Sequence, residues 1–264
     1  MAILASLGET MPEALARDLI ARGIVPLSEM SAALEAIAIA ARVGRANEQA
    51  PLLLPTDAAA SRTLNEAEAK AALAAHGVRV PLSIRAASVE AAAEAAAKIG
   101  FPVALKGEGI AHKTEAGAVA LNLQGPEAVR AAAKAMSTDR FLVEEMVTGT
   151  VAELLIGVVR DPAHGYVLTL AAGGVLTELL QDSASLLVPA SRSAVAGALK
   201  NLRIAPVLEG YRGAPAANLE AILDSVMAVQ DHVTAAHPQE VEINPLLCTP
   251  AAAIAADALI KAGE

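Results

Sequence analysis

The sequence predicts an α+β protein in two lobes, and three observations lead there. Apolar periodicity switches between helical and alternating spacing along the chain, without a regular βαβ period. Alanine makes up about a quarter of the 264 residues, so the 55% hydrophobic content and mean hydropathy of +0.47 argue for helix rather than membrane. Strand candidates crowd the second half, separated by Gly and Pro turns.

The elements follow in order. Residues 11–22 and 28–47 carry helical spacing, with the apolar stretch Gly23-Ile24-Val25-Pro26-Leu27 between them. Residues 47–60 break the period, with Pro51 and Pro55 as punctuation, and read as a linker. Thr63-Leu64-Asn65-Glu66 fits a capping box for a helix that stops at Gly77. Val78–Val80 is a strand candidate, and Ser88 caps a helix ending at Gly100. Phe101–Lys106 is a short buried strand ending in a lysine. A glycine-punctuated polar loop, Gly107–Gly117, follows it. Val119–Leu123 reads as strand and Pro126–Met136 as helix. Further strands are expected at Phe141–Glu145, Val151–Val159, Tyr166–Leu170, Val241–Asn244 and Ile254–Ala256, and helices near 192–201 and 217–234. The domain division expected is 1–56, 57–140 and 141–264.

Composition excludes several function classes. Aromatics are 2% with no Trp, which removes stacking platforms for single-stranded nucleic acid. A net charge of -9 argues against a phosphate-backbone binder, so no nucleic-acid partner is expected. Cys248 is the lone cysteine, which excludes an intramolecular disulfide and a cysteine-rich zinc site and leaves it as a small apolar filler. There is no basic, apolar leader and no uninterrupted apolar run of about 18 residues, so the expectation is a soluble cytoplasmic protein without membrane contact.

Three constellations carry candidate chemistry. Lys106 ends a buried strand, where its stem lies in the core and its ammonium at the sheet edge can meet phosphates; His112 and Lys113 follow in the glycine loop. A surface loop with an incidental histidine has the same pattern. In a strand, Glu240, Glu242 and Asn244 share one face, and Asp257 on a neighbouring strand can join them as hard oxygen donors for Mg²⁺. A half-solvated strand with a polar face reads alike. Phe141–Val147 offers backbone groups to a base edge, with Glu153 on the next strand for a ribose; glutamates at a strand end are also common surface residues. The remaining histidines, His76, His164, His232 and His237, lack a recognised metal spacing and read as structural or surface residues.

Taken in order, several segments resemble the nucleotide-binding part of the NDP-forming acyl-CoA synthetases, relatives of succinyl-CoA synthetase with an ATP-grasp fold of two α+β lobes. The carriers span residues 60–262. They include Leu64-Asn65-Glu66-Ala67-Glu68-Ala69-Lys70, Gly100-Phe101-Pro102-Val103-Ala104-Leu105-Lys106, His112-Lys113-Thr114-Glu115-Ala116-Gly117, Gly173-Gly174-Val175-Leu176-Thr177-Glu178-Leu179 and Glu240-Val241-Glu242-Ile243-Asn244-Pro245-Leu246. The resemblance implies that Lys106 contacts ATP phosphates, Glu145 and Val147 lie at the adenine hinge, and Glu153 lies near the ribose. It implies Mg²⁺ on Asn244 and Asp257, a phosphohistidine at His112 on a mobile loop, and Glu242 supporting that histidine. Ala118 and Ala172 stand where the family often has glycine.

The family's CoA-binding and ligase domains have no counterpart here. Residues 1–50 resemble the closing helices of the preceding ligase domain, so the expectation is the C-terminal portion of a longer synthetase, or a β-type subunit with an α-type CoA-binding partner. The reaction implied is carboxylate + CoA + ATP to acyl-CoA + ADP + phosphate. Two rival readings are a non-catalytic ATP-binding scaffold and an ATP-grasp carboxylate–amine ligase working through a free acyl phosphate, which has no need of His112.

Overall fold

The computed structural model describes residues 2–43, 51–54, 61–109, 117–174 and 182–263. His112–Ala116 and Val175–Leu179 of the motifs above lie outside the described residues. The chain divides into two compact units, Met1–Gln49 and Ala50–Glu264.

The first unit runs β1 (Ala2–Leu4), α1 (Glu13–Ala21), β2 (Val25–Leu27) and α2 (Met30–Val43). The apolar stretch between the two helices is thus a strand. It pairs in parallel with β1, in the register Ala2↔Val25 to Leu4↔Leu27, and α1 makes the crossover that parallel strands require. Leu19, Met11 and Ala33 are buried; Ile20, Leu34, Ile37 and Ile39 are exposed.

The second unit contains β3 (Ser61–Thr63), α3 (Glu66–Ala74), β4 (Ser83–Ala86), α4 (Val89–Ile99), β5 (Val103–Gly107), β6 (Val119–Leu123), α5 (Pro126–Ala135) and β7 (Phe141–Glu145). It continues through β8 (Ala152–Asp161), β9 (Gly165–Ala172), β10 (Ser183–Leu187), α6 (Arg192–Lys200), α7 (Ala205–Leu208), α8 (Leu219–Ala236), β11 (Glu240–Cys248), β12 (Ala253–Ala255) and β13 (Ala258–Gly263). Among the described residues the strands form two antiparallel sheets. One is four-stranded in the order β4-β7-β5-β6. The other is seven-stranded, β10-β9-β8-β11-β13-β3, with β12 also paired to β11.

Each sheet has its own core. Alanines of α4 (Ala92, Ala93, Ala96) pack with Val103, Leu105, Phe141 and Val143 on one face of the small sheet. Ile156, Leu168, Leu170, Ile243 and Ile260 of the large sheet pack with Ile222, Val226 and Val229 of α8 and with Ala69 and Leu73 of α3. The alternation in β11, with Val241 and Ile243 buried between half-buried Glu240, Glu242 and Asn244, is the pleat expected from its sequence.

Three local differences have clear causes. The cap of α3 is Asn65, not Thr63: its Oδ1 accepts from Glu68 N at 3.0 Å, and Glu68 returns a carboxylate oxygen to Asn65 N at 3.1 Å. Thr63 is committed to β3, opposite Lys261. Val78–Val80 is not a strand. Val78 is buried in the large core, and Arg79 accepts Ala255 N through its carbonyl, so the apolar signal came from packing rather than from a ladder. The boundary placed at 140/141 separates Phe141–Glu145 from its sheet, since this strand pairs with both β4 and β5. Cys248 is the apolar filler expected: it is buried, and burial pushes its thiol up to about 12, with Glu153 adding to the shift. Among the described residues no helix is long and apolar enough to cross a membrane.

Candidate functional site

Period two along β5 puts Ala104 and Lys106 on one face, and Lys106 is buried towards the far end. On β7, Glu144 lies opposite Ala104 and points to the same face; it is only 2% exposed. Glu66 and Lys70 are one helical turn apart at the start of α3 and therefore share a face.

These four side chains meet. Lys106 Nζ donates to Glu66 Oε1 and to the carbonyl of Ala256, both at 2.6 Å, and forms an ion pair with Glu144 Oε2 at 2.9 Å. Lys70 Nζ donates to Glu66 Oε1 at 2.8 Å and to both oxygens of Glu144 at 2.7 and 2.9 Å. Burial alone would pull the Lys106 ammonium down, but Glu66, Glu144 and Asp257 outweigh it and hold the group above the ordinary lysine range. Lys70 goes the other way: burial and the like charge of Lys106 lower it despite the two carboxylates. Buried ions persist only when paired, and here the pairing is reciprocal.

Ala256 precedes Asp257 in the bend between β12 and β13. Asn244 N donates to Asp257 O at 3.3 Å and Ala256 N to Pro245 O at 3.0 Å, so the bend lies directly against Asn244. Asn244 Oδ1 accepts Gly174 N at 3.1 Å. Gly173 and Gly174 run so close to β8 that a Cβ on Gly174 would stand 1.9 Å from Glu153 Oε2. Lys106, Asp257, Asn244 and Glu153 are thereby linked through consecutive contacts.

Glu145 and Val147 line a cleft of about 440 Å³ together with Phe101, Pro102, Thr148 and Thr249. Pro102, just before β5, is four residues from Lys106, at most about 13 Å of extended chain.

The sequence profile of the ATP-grasp domain family matches residues 56–262. The chain belongs to the ATP-grasp family. It is 35% identical over 221 residues to a trans-feruloyl-CoA synthase of an unknown prokaryotic organism, covering 78% of this chain and 31% of that protein. It is 28% identical over 230 residues to the beta subunit of the ADP-forming acetate–CoA ligase I of Pyrococcus furiosus, covering 82% and 97%. The chain thus spans under a third of the first relative and nearly all of the second.

Among solved structures, the dinucleotide forming acetyl-coenzyme A synthetase 1 of Ca. Korarchaeum cryptofilum, in complex with coenzyme A, Ca-AMPCP and HgCl+, superposes with a TM-score of 0.70. Identity is 27%, over 86% of this chain and 98% of that one. A second structure of that synthetase holds coenzyme A and Mg-AMPPCP, with its phosphohistidine segment pointing towards the nucleotide binding site (TM-score 0.68, 28% identity, 86% and 98% covered).

Within this ATP-grasp chain the structure brings together Lys106, Asn244, Asp257 and Glu153 of the residues expected from sequence. Glu145 and Val147 sit apart from them, at the cleft by the strand exit. Glu242 is on the Asn244 face of β11, opposite Gly157 and Leu259. Glu240, on the same face, is drawn off by an ion pair with Lys261. His112 lies outside the described residues. Sequence reasoning missed Glu66, Lys70 and Glu144 as a charged unit. The available signal was the Glu66–Lys70 spacing of four on a helix, together with the even-numbered face that strand pairing gives Lys106 and Glu144. His164, read as a surface residue, is exposed and pairs with Asp161 at 2.8 Å. No group of three metal-ligating side chains occurs among the described residues.

Proposed function

We propose that this chain is the nucleotide-binding part of an NDP-forming acyl-CoA synthetase and exchanges a phosphoryl group between ATP and His112. The complete reaction is carboxylate + CoA + ATP to acyl-CoA + ADP + phosphate. CoA is handled by an α-type partner subunit or by fused domains. The compartment is the cytoplasm. The observation that carries the reading is the buried Lys106 ammonium held against the Ala256–Asp257 bend, beside Asn244, in an ATP-grasp chain. The near-complete coverage of an acetate–CoA ligase beta subunit supports it.

Residue by residue, Lys106 exchanges carboxylate partners for phosphate oxygens. The cleft at Glu145 and Val147 receives the base, and Glu153 takes ribose hydroxyls. Asn244 and Asp257 offer a hard amide oxygen and a carboxylate already in contact through the backbone, a donor set that suits Mg²⁺. When bound, that ion neutralises charge on the phosphate oxygens. An imidazole nitrogen of His112 attacks the γ-phosphorus. A P–N bond forms as the bond to the β,γ-bridging oxygen breaks, and its electron pair leaves with ADP. The Glu242 carboxylate orients the ring and holds the proton of its other nitrogen. The assignment of His112 rests on its motif and on the phosphohistidine segment of the solved relative. Residues 1–56 are proposed as the end of a preceding ligase domain plus linker, supported by the parallel βαβ start of the first unit.

Incubation with γ-labelled ATP and Mg²⁺ tests this. An acid-labile, base-stable label that disappears in His112→Ala is expected. Equal labelling of that variant refutes the assignment.

A further inference from the structure

We infer that Lys70 is a positioning residue for nucleotide binding: it keeps Glu66 and Glu144 partnered so that the Lys106 ammonium can leave them for a phosphate. The inference rests on the proposed nucleotide site at Lys106 and deepens it.

An ammonium has three protons to donate. That of Lys106 is surrounded by three oxygens: it donates to Glu66 and to the Ala256 carbonyl and is ion-paired with Glu144 at 2.9 Å. To bind a phosphate, Lys106 has to release at least one carboxylate. Both carboxylates are nearly solvent-free, with side chains 4% and 2% exposed, so a released one cannot turn to water. Stripping a buried carboxylate of its partner is costly. Lys70 removes that cost, because its own three contacts already cover Glu66 Oε1 and both oxygens of Glu144. Those contacts also use up its donors and its side chain is 3% exposed, so Lys70 acts through the carboxylates and not on the ligand itself.

The placement fits this role. Lys70 and Glu66 ride on α3, whose Ala69 and Leu73 belong to the core of the large sheet. Lys106 and Glu144 belong to the small sheet. The Lys70–Glu144 contact therefore spans the seam between the two sheets, and it persists when Lys106 changes partners.

Titration calorimetry of the whole chain with AMPPCP and Mg²⁺ tests the inference on wild type, Lys106→Met, Lys70→Met, Glu66→Gln and the double variant Lys70→Met/Glu66→Gln. Lys70→Met is expected to bind about tenfold more weakly or worse, since the site gains a net negative charge and both carboxylates lose the Lys70 ammonium and hold Lys106 more tightly. Adding Glu66→Gln removes one of those carboxylates and should recover much of the loss, which a merely structural role for Lys70 would not do. Glu66→Gln alone should bind at least as tightly as wild type. Lys70→Met affinity within twofold of wild type overturns the inference, as does an absence of recovery in the double variant. If Lys70→Met does not fold, Glu66→Gln against the double variant decides: tighter binding by Glu66→Gln supports the inference, and equal affinities overturn it. Failure of the underlying site is separately visible, as wild type that does not bind AMPPCP or Lys106→Met that binds as well as wild type.

Discussion

Adding one methyl group at two glycines should move stability in opposite directions. A Cβ on Gly173 would stand 2.5 Å from the Leu154 carbonyl carbon, 2.7 Å from its oxygen and 2.9 Å from its nitrogen. All three are backbone atoms of β8, which is locked between β9 and β11. The strand has no room to retreat, so residue 173 must move and give up its N–H bond to Glu153 O, 2.8 Å long. Losing that bond costs about 1 kcal/mol. Overpacking against fixed atoms adds about 1–3 kcal/mol. Gly173→Ala should therefore cost about 2–4 kcal/mol, which lowers Tm by about 5–15 °C in a domain of this size. Gly197 is the control. It is exposed inside α6 with no atom near its would-be Cβ, so Gly197→Ala should add about 0.5–1 kcal/mol through helix propensity and raise Tm by about 1–4 °C. Thermal melts followed by circular dichroism read both. The packing argument fails if Gly173→Ala melts within 1 °C of wild type, or if both variants shift the same way.

Three further outcomes follow from particular groups. His232 is buried, neither ring nitrogen has a hydrogen-bond partner among the described residues, and burial followed by the neighbouring His76 lowers its basicity. The unfolded imidazole titrates near about 6.5, so its contribution is intact above that pH and is lost as pH falls through the lower folded value. Urea midpoints at pH 7.5 and 5.0 should fall less for His232→Leu than for wild type, and parallel falls would contradict this. The Cys248 thiol should resist an aromatic disulfide reagent at pH 8 in the native chain and react fully in denaturant, whereas rapid native labelling would mean the strand is not packed as described. Asn244→Ala and Asp257→Asn should each abolish the gain in AMPPCP affinity that Mg²⁺ confers while leaving metal-free binding, so a retained Mg²⁺ dependence in both would remove them as ligands.

Much of this fold was legible because local rules and packing agree. Ser88 caps α4 as its sequence predicts, its oxygen accepting the first-turn amide of Ala91. The alternation of β11 put Glu240, Glu242 and Asn244 on one face, and Lys106 was recognisable as the charged end of a buried strand. What escaped lacked a local pattern. Ser183–Leu187 forms β10 although two of its five residues are serines, because β9 supplies a complete ladder from Val167 to Ala171. Val78 carries a strand-like apolar signal but is spent on the core. At the site, Glu66, Lys106 and Glu144 come from three distant segments. Nothing in a strand-end sequence distinguishes the buried Glu144 from the half-buried Glu145; only the partner strand decides which one faces Lys106.

The bend at Ala256 and Asp257 has a consequence for how this chain can vary. It is fastened twice, to Asn244 and Pro245 on β11 and to Lys106 on the other sheet. One extra residue there would displace the following strand by about 3.3 Å, more than any of these bonds can stretch. At the hairpin tip of Pro250–Ala251, a few positions earlier, Ala251 accepts from Asn218 Nδ2 and donates to Thr249 Oγ1, both at 3.3 Å, and neither bond reaches the other sheet. Length changes in this stretch of the gene should accumulate at the tip and spare the bend, so natural insertions would trace the proposed phosphate-and-metal corner by where they do not occur.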